Sequence, residues 1–289
     1  MNIVELIERR IAEHYLERKR YFFYSNYPRI ACYSSDLISQ DIFTRGRYEK
    51  EECENLKKFI FPKLAKRRVC LDIGANIGNH SLFFSEFFEN VISFEPNPRS
   101  FRLLKLNVEE FDNIEAINLG ASNIKGQLSA LENLTNIGET EIGRDRTGFK
   151  DEIFKKIELN VNRLDDALPK NILSKVDFIK IDTEGHEFQA LSGLKETLMS
   201  GEAIIAFEFL ITAYTKEVPP IESLLKDYGY KYFYEFERVG HLLKVPRRFE
   251  PLAKILRLII YGKKYYLHKL DGFKHKDYPL VIASKNPIE

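Results

Sequence analysis

Apolar positions along this chain change their spacing at definable points. Over residues 1–20, Ile3, Leu6, Ile7, Ile11 and Tyr15 recur every three or four residues, which predicts an amphipathic helix. Tyr21-Phe22-Phe23-Tyr24 and Pro28 follow, and residues 49–60 read as a second helix that Pro62 ends. At Val69 the period changes. Val69-Cys70-Leu71-Asp72-Ile73 is a short apolar run that meets a glycine, the pattern of a strand buried on both faces. Ser81 to Phe88 then reads as a helix and Val91 to Glu95 as a strand. Pro98 opens another helix, and Ile114 to Leu119 forms a third strand.

That rhythm breaks and later resumes. Lys125 to Leu131 and Ile157 to Leu164 read as strands around a polar stretch with Gly138, Gly143 and Gly148. Val176 to Ile181 is a strand, Glu187 to Leu198 a helix, Ala203 to Phe209 a strand and Pro220 to Asp227 a helix. Lys231 to Phe236 and Leu280 to Ala283 are late strands, separated by an unusually long connection over residues 246–275. Strands alternating with helices predict an α/β fold, a Rossmann-like doubly wound and mostly parallel sheet. The predicted layout is a helical N-terminal extension over 1–62 and a main domain over 63–289. An insertion interrupts that domain at about 246–275.

Composition narrows the class. Of 289 residues, 44% are hydrophobic and 30% charged, which excludes wholesale disorder. Cys32, Cys53 and Cys70 form no CxxC pattern, which excludes a disulfide framework and a cysteine-rich zinc site. The net charge of +1 conceals +5 over residues 1–70, −11 over 71–239 and +7 over 240–289. The acidic middle argues against nucleic acid as a partner. The first twenty residues hold no apolar leader segment, and no run of ~18 apolar residues occurs, so a cytoplasmic chain is expected.

Candidate chemistry begins at Asp72-Ile73-Gly74-Ala75-Asn76-Ile77-Gly78, between a strand and a helix. Gly74 and Gly78 let the backbone turn tightly beside a helix N-terminus. Asn76 replaces the middle glycine of the dinucleotide motif, which weighs against a nicotinamide cofactor and an oxidoreductase. Asp72 is available for an ammonium group. Glu95 follows Gly74 by 21 residues, close to the ~20 expected of an acid that binds ribose hydroxyls. An amino-acid end and a ribose end together describe S-adenosylmethionine (SAM).

LDIGANIGNHS, ISFEPNP, INLGAS, NRLDDAL, DFIKIDTEGHEFQALSGL and IAFEF together resemble the FkbM-type family of SAM-dependent methyltransferases. A lead-in with Asp41, Tyr48, Glu49 and Glu52 is also similar, and the resemblance covers roughly residues 36–240. It implies a class I SAM methyltransferase fold that methylates hydroxyls on sugars and other metabolites. By the same resemblance Asp72, Gly74, Asn76 and Gly78 hold the methionine end, with His80 and Ser81 at the helix start. Glu95 holds the ribose, Pro96 and Asn97 flank the adenine, and Asn118 and Gly120 lie near it. A SAM-fold binding protein without catalysis is the remaining alternative.

Asp182, Glu184 and His186 end a strand and enter a helix, on the rim where open sheets bind ligands. They are the candidate catalytic residues, with His186 as the base and a carboxylate to orient it. An acidic first helical turn is equally ordinary capping chemistry. Asp182 and His186 lack a third metal ligand, so no metal is expected. Leu252, Ile255, Leu256, Ile259 and Ile260 form one stripe of a basic helix over residues 246–270. Such a helix can lie on a membrane, pack on the core or cap the substrate. The expected partner is a small-molecule or glycan acceptor, with oligomeric state left open.

Overall fold

A computed structural model of the 289-residue chain describes residues 2–34, 36–134, 140–142, 153–211, 220–239 and 264–288. Helices α1 (Ile3–Asn26), α2 (Leu37–Arg45) and α3 (Lys50–Asn55) lead in. A π-helical turn over Leu56–Ile60 then carries the chain to Phe61. Phe61 is 1% exposed, and its ring lies 5.5 Å from Phe178 and 5.3 Å from Phe88. Burying such a ring contributes ~1.5–3 kcal/mol, which fixes the lead-in against the main sheet.

Strand β1 (Val69–Ile73) is buried throughout, as its unbroken apolar run requires. The glycine turn connects it to α4 (Asn79–Phe84), β2 (Asn90–Phe94), α5 (Pro98–Val108) and β3 (Ile114–Ile117). Asn97 caps α5, its Oδ1 accepting from the Arg99 amide at 2.9 Å, and Pro98 takes the first helical position. A small second sheet follows, built from β4 (Gly120–Ala121), β5 (Gly126–Asn133), β6 (Thr140–Ile142) and β7 (Phe154–Asn162). The predicted Gly138, Gly143 and Gly148 lie outside the described residues.

Short helices α6 (Leu164–Ala167) and α7 (Lys170–Leu173) return the chain to β8 (Val176–Ile181). The helix expected over Glu187–Leu198 is two helices, α8 (Glu187–Ser192) and α9 (Lys195–Ser200). A Cβ on Gly193, between them, would meet the Ser122 carbonyl oxygen at 2.0 Å. Asp165 caps the second of them, accepting from the amides of Glu196 at 2.7 Å and Thr197 at 3.1 Å. Strand β9 (Ile204–Phe209), helix α10 (Ile221–Asp227) and strands β10 (Tyr232–Arg238), β11 (Tyr265–Leu270) and β12 (Tyr278–Ser284) complete the fold.

The main sheet runs β11-β10-β12-β9-β8-β1-β2-β3. Strands β9, β8, β1, β2 and β3 are parallel, and β12, β10 and β11 add on antiparallel. From β1 the chain winds one way through β2 and β3, then returns to wind the other way through β8 and β9. The reversal falls between β1 and β8, where a doubly wound sheet opens a crevice at its carboxyl edge. The helix expected over 246–270 is corrected in its last part. Residues 265–270 are strand β11, paired with β10 from Arg238↔Tyr265 to Phe233↔Leu270. The adjacent Tyr265 and Tyr266 suit a pleated edge better than a helix. The apolar stripe from Leu252 to Ile260 lies outside the described residues. Among the described residues no helix is long and apolar enough to cross a membrane.

Candidate active site

A cleft of about 370 Å³ opens at the carboxyl edge of β1, β2 and β8, within the ~300–1,000 Å³ usual for small ligands. Gly74, Asn76, Glu95, Pro96 and Gly120 line it, as do Asp182 and Glu184. Tyr48, Asn79 and His80 close one end. The sequence therefore places half of its cofactor residues on the wall. Asp72, Gly78, Ser81, Asn97 and Asn118 are not among the lining residues and act from behind.

Their roles there are specific. Asp72 is 1% exposed, and its Oδ2 accepts from the Ser81 hydroxyl at 2.6 Å, which in turn takes the Ser93 hydroxyl at 2.8 Å. Burial pushes the Asp72 carboxyl up to about 6. It braces the turn from behind the cleft wall. Gly78 adopts φ +92, and a Cβ there would meet Leu104 at 2.9 Å, so it serves helix packing. Asn118 donates to the Glu95 and Pro96 carbonyls at 2.7 and 3.0 Å, and Asn97 donates to Glu132 at 3.1 Å.

Gly74 is required by sterics. Its φ is +83, and a Cβ would lie 1.7 Å from the Asp182 carbonyl oxygen. The close approach joins the first turn to the end of β8. Asn76 also holds a positive φ, +50, a conformation asparagine tolerates better than most residues. Its amide donates to Glu95 Oε2 at 2.8 Å, and the Asn97 amide donates to Oε1 at 2.7 Å. Burial nevertheless raises the Glu95 carboxyl to about 7, outweighing these two hydrogen bonds.

His186, the candidate base, lies away from the cleft wall. It is 7% exposed, and its Nε2 meets the Ser122 hydroxyl at 3.0 Å. Burial drives its pKa down to about 4, so the ring stays neutral and ties α8 to the small sheet. Tyr21, Phe22 and Tyr24 are exposed and line no acceptor pocket at this cleft.

An unexpected ionic cluster stands beneath the cleft. Lys180 is 2% exposed within β8, and its Nζ lies 3.0 Å from Asp182 Oδ2. Burial opposes both charges, but the pair holds the lysine pKa high and the Asp182 pKa low. Burial raises Glu49, Glu52 and Glu208, and Glu208 hydrogen-bonds to Asp182. Glu49 adopts φ +49, unusual for a side chain of its length, and its Oε2 lies 3.3 Å from His80 Nε2 without an aligned hydrogen bond. Burial, then the lysine charge, pushes His80 down to about 3. The signal for this cluster was a lysine in the buried run Val176–Ile181 and a glutamate in Ala206-Phe207-Glu208-Phe209. Buried ions must be paired.

Away from the cleft, Glu235, Glu237 and His268 place donor atoms within 4.8 Å of one another on β10 and β11. Lys276 holds Glu235 at 2.8 Å and Tyr266 donates to Glu237, so these carboxylates already have partners.

The model of the methyltransferase FkbM domain matches residues 72–232, which spans the glycine turn, Glu95, Asp182 and Glu208. The chain belongs to the FkbM methyltransferase family. Methyltransferase sdnD of Sordaria araneosa is similar at 26% identity over 231 residues, 68% of this chain and 88% of that protein. Hexuronic acid methyltransferase AglP of Haloferax volcanii is 28% identical over 138 residues, 47% of this chain and 54% of its own length. The solved FkbM methyltransferase of Methylobacillus flagellatus aligns with a TM-score of 0.41 at 16% identity, covering 68% of this chain and 48% of that one. The precorrin-6y C5,15-methyltransferase of Geobacter metallireducens aligns with a TM-score of 0.42 at 16% identity, covering 83% and 93%. The FkbM match starts at Asp72. Tyr48 therefore joins this cleft from upstream of the matched segment, with Glu49 behind it against His80.

Proposed function

We propose that the chain is a SAM-dependent O-methyltransferase acting on a hydroxyl of a glycan or small metabolite. The observation that carries the reading is the cleft itself, where Gly74, Asn76 and Glu95 share one cavity with Asp182, Glu184 and His80. Bound SAM supplies a methyl group on a cationic sulfur, a good leaving group. Each Glu95 oxygen already takes one backbone N–H and keeps a lone pair for a ribose hydroxyl. Pro96 and Gly120 border the adenine end, where a Cβ on Gly120 would meet Pro96 at 3.2 Å and narrow the slot. Asp182 takes the ammonium role first assigned to Asp72, because Lys180 keeps it ionised and it lies on the wall.

His80 replaces His186 as the base. It lines the cleft, and although burial and the Lys180 charge hold its pKa down to about 3, proton transfer to it becomes favourable as methylation turns the hydroxyl oxygen into a strongly acidic oxonium. With Nε2 turned to Glu49, the other ring nitrogen serves the acceptor hydroxyl, and Glu49 steadies the imidazolium that forms. Catalytic hydrogen bonds are often poorly aligned before substrate binds, which fits the 3.3 Å separation. As the acceptor oxygen bonds the methyl carbon, its proton passes to His80 and then to water. Glu184, at φ +51 on the cleft wall, is placed to orient the acceptor.

Thermal stabilisation by SAM and its demethylated product, and none by NAD, tests the cofactor. Transfer of labelled methyl to a panel of hydroxyl acceptors tests the reaction, with sugars first because one similar protein is named for a hexuronic acid. His80→Asn should keep SAM affinity and lower transfer ~10²–10⁴-fold. Stabilisation by NAD alone would overturn the reading, and transfer only to amines would overturn the hydroxyl acceptor.

A further inference from the structure

Helix α1 runs 24 residues without one buried side chain. Ile3 is 76% exposed, Ile7 54% and Ile11 66%. At 3.6 residues per turn Ile3, Ile7, Ile11 and Phe22 fall on one face, and all four are exposed. The helix is tied to the domain at the edge of this face, through the Tyr15 hydroxyl, which donates to the Thr44 carbonyl at 2.6 Å. The charge around the apolar face is mainly basic. Arg10, His14, Arg18 and Lys19 line the same surface as Ile7 and Ile11, with Glu8 at its edge. Glu13, by contrast, is taken up off this face by Arg9 at 2.7 Å.

We propose that α1 docks the protein on an anionic lipid surface, lying in the plane of the interface. Its apolar face would enter the acyl boundary while the arginine and lysine stems reach up to phosphate headgroups. The helix is ~36 Å long at 1.5 Å per residue, a ridge with no facing wall that a fluid surface can close around. A second copy of the chain fits worse. A two-fold pairing would set the basic Arg10, Arg18 and Lys19 of one copy against those of the other, with Glu8 at the edge as the one nearby acid. This docking is independent of the methyl-transfer reading and of the basic segment over residues 246–263.

Sedimentation of the full chain with vesicles tests it. One set is phosphatidylcholine alone, and in the other phosphatidylglycerol replaces part of it. The chain should follow the anionic vesicles and remain free of the neutral ones. Ile7→Glu with Ile11→Glu should abolish sedimentation. Arg18→Gln with Lys19→Gln should weaken it by on the order of tenfold, and added salt should weaken the wild type. Ile7, Ile11 and Arg18 are exposed and Lys19 is half-buried over the Tyr15 and Phe22 rings, so unchanged circular dichroism and melting are required to confirm folding. Retained vesicle binding in the Ile7/Ile11 variant would overturn the proposal. So would binding lost only on replacing Arg247, Arg248, Lys254 and Arg257. Failure of the wild type to bind anionic vesicles, with α1 variants turning an oligomer into a monomer, would make the face a self-interface instead.

Discussion

Asn79 grips Tyr48 by both of its backbone groups. Its Oδ1 accepts from the Tyr48 amide at 3.1 Å and its Nδ2 donates to the Tyr48 carbonyl at 3.1 Å. One side chain at the start of α4 thereby fixes the lead-in beside the cleft and delivers Glu49 to His80. Asn79→Ala leaves two backbone groups without partners, at ~1–3 kcal/mol each if they stay dry. The variant should melt earlier, and its methyl transfer should fall further than its SAM affinity. Equal losses in both would show that the clamp serves folding alone.

Glu95→Ala should weaken SAM binding by roughly 10-fold to over 100-fold, because charge-assisted hydrogen bonds contribute ~1.5–3 kcal/mol. It should also lower stability, since the Asn76 and Asn97 amides both donate to this carboxylate. Calorimetry and thermal melts on the same preparation separate the two effects.

Gly74→Ala should be a folding defect as much as a binding one. The added carbon would stand 1.7 Å from a backbone oxygen of β8, which has no side chain to swing aside. The cost should exceed ~3 kcal/mol, at the diagnostic end for single substitutions. Denaturant unfolding measures it, and a near wild-type midpoint would show that β1 and β8 can part without loss.

Stability without ligand should fall as pH rises from about 4 to about 7. Asp72 and Glu95 titrate in the unfolded chain near their ordinary values of 3.8 and 4.5, and in the folded chain at about 6 and 7. The folded state therefore holds more protons across this window, and stability declines with pH until both are ionised. Glu49, Glu52 and Glu208 act in the same direction. Asp182, held low by its lysine, acts oppositely only below about 3.8, while His80 and His186, buried and pushed down to about 3 and 4, oppose the decline up to about 6.5, being two groups against five. Melting curves between these limits check the slope, and SAM binding near neutrality should release protons, read as a buffer-dependent heat.

His186→Ala should cost ~1–3 kcal/mol of stability by leaving the buried Ser122 hydroxyl with only its 3.5 Å contact to Asn123, and should leave methyl transfer per folded molecule unchanged. Initial rates normalised to SAM-binding sites decide it, and a loss of 10²-fold or more would restore His186 as a base.

The parallel strands were legible because burial on both faces leaves an unbroken apolar run, as at Val69–Ile73 and Val176–Ile181. The turn glycines were legible as turns, but their loads were not. The backbone oxygen that Gly74 admits lies more than a hundred residues downstream. Spacing also misled at His186, since a rim position does not say whether a ring faces the cleft or Ser122. The end of the late segment became strand β11 because its pairing partner, β10, is a tertiary fact that local periodicity does not carry. The exposed stripe of α1 was visible as periodicity, while its lack of a covering surface was not.

The buried lysine in β8 has a consequence for turnover. Lys180 pairs directly with Asp182, while Glu95 on the cavity wall and Glu49 and Glu208 behind it keep their charge suppressed by burial, and recoverable. An arriving sulfonium draws that charge out, and the thioether left after transfer no longer does. The same acids then regain protons and lose their hold. On the proposed reaction the spent cofactor is thus expelled by the disappearance of its own charge, so product inhibition should be weaker than the shared contacts to its sugar and base imply.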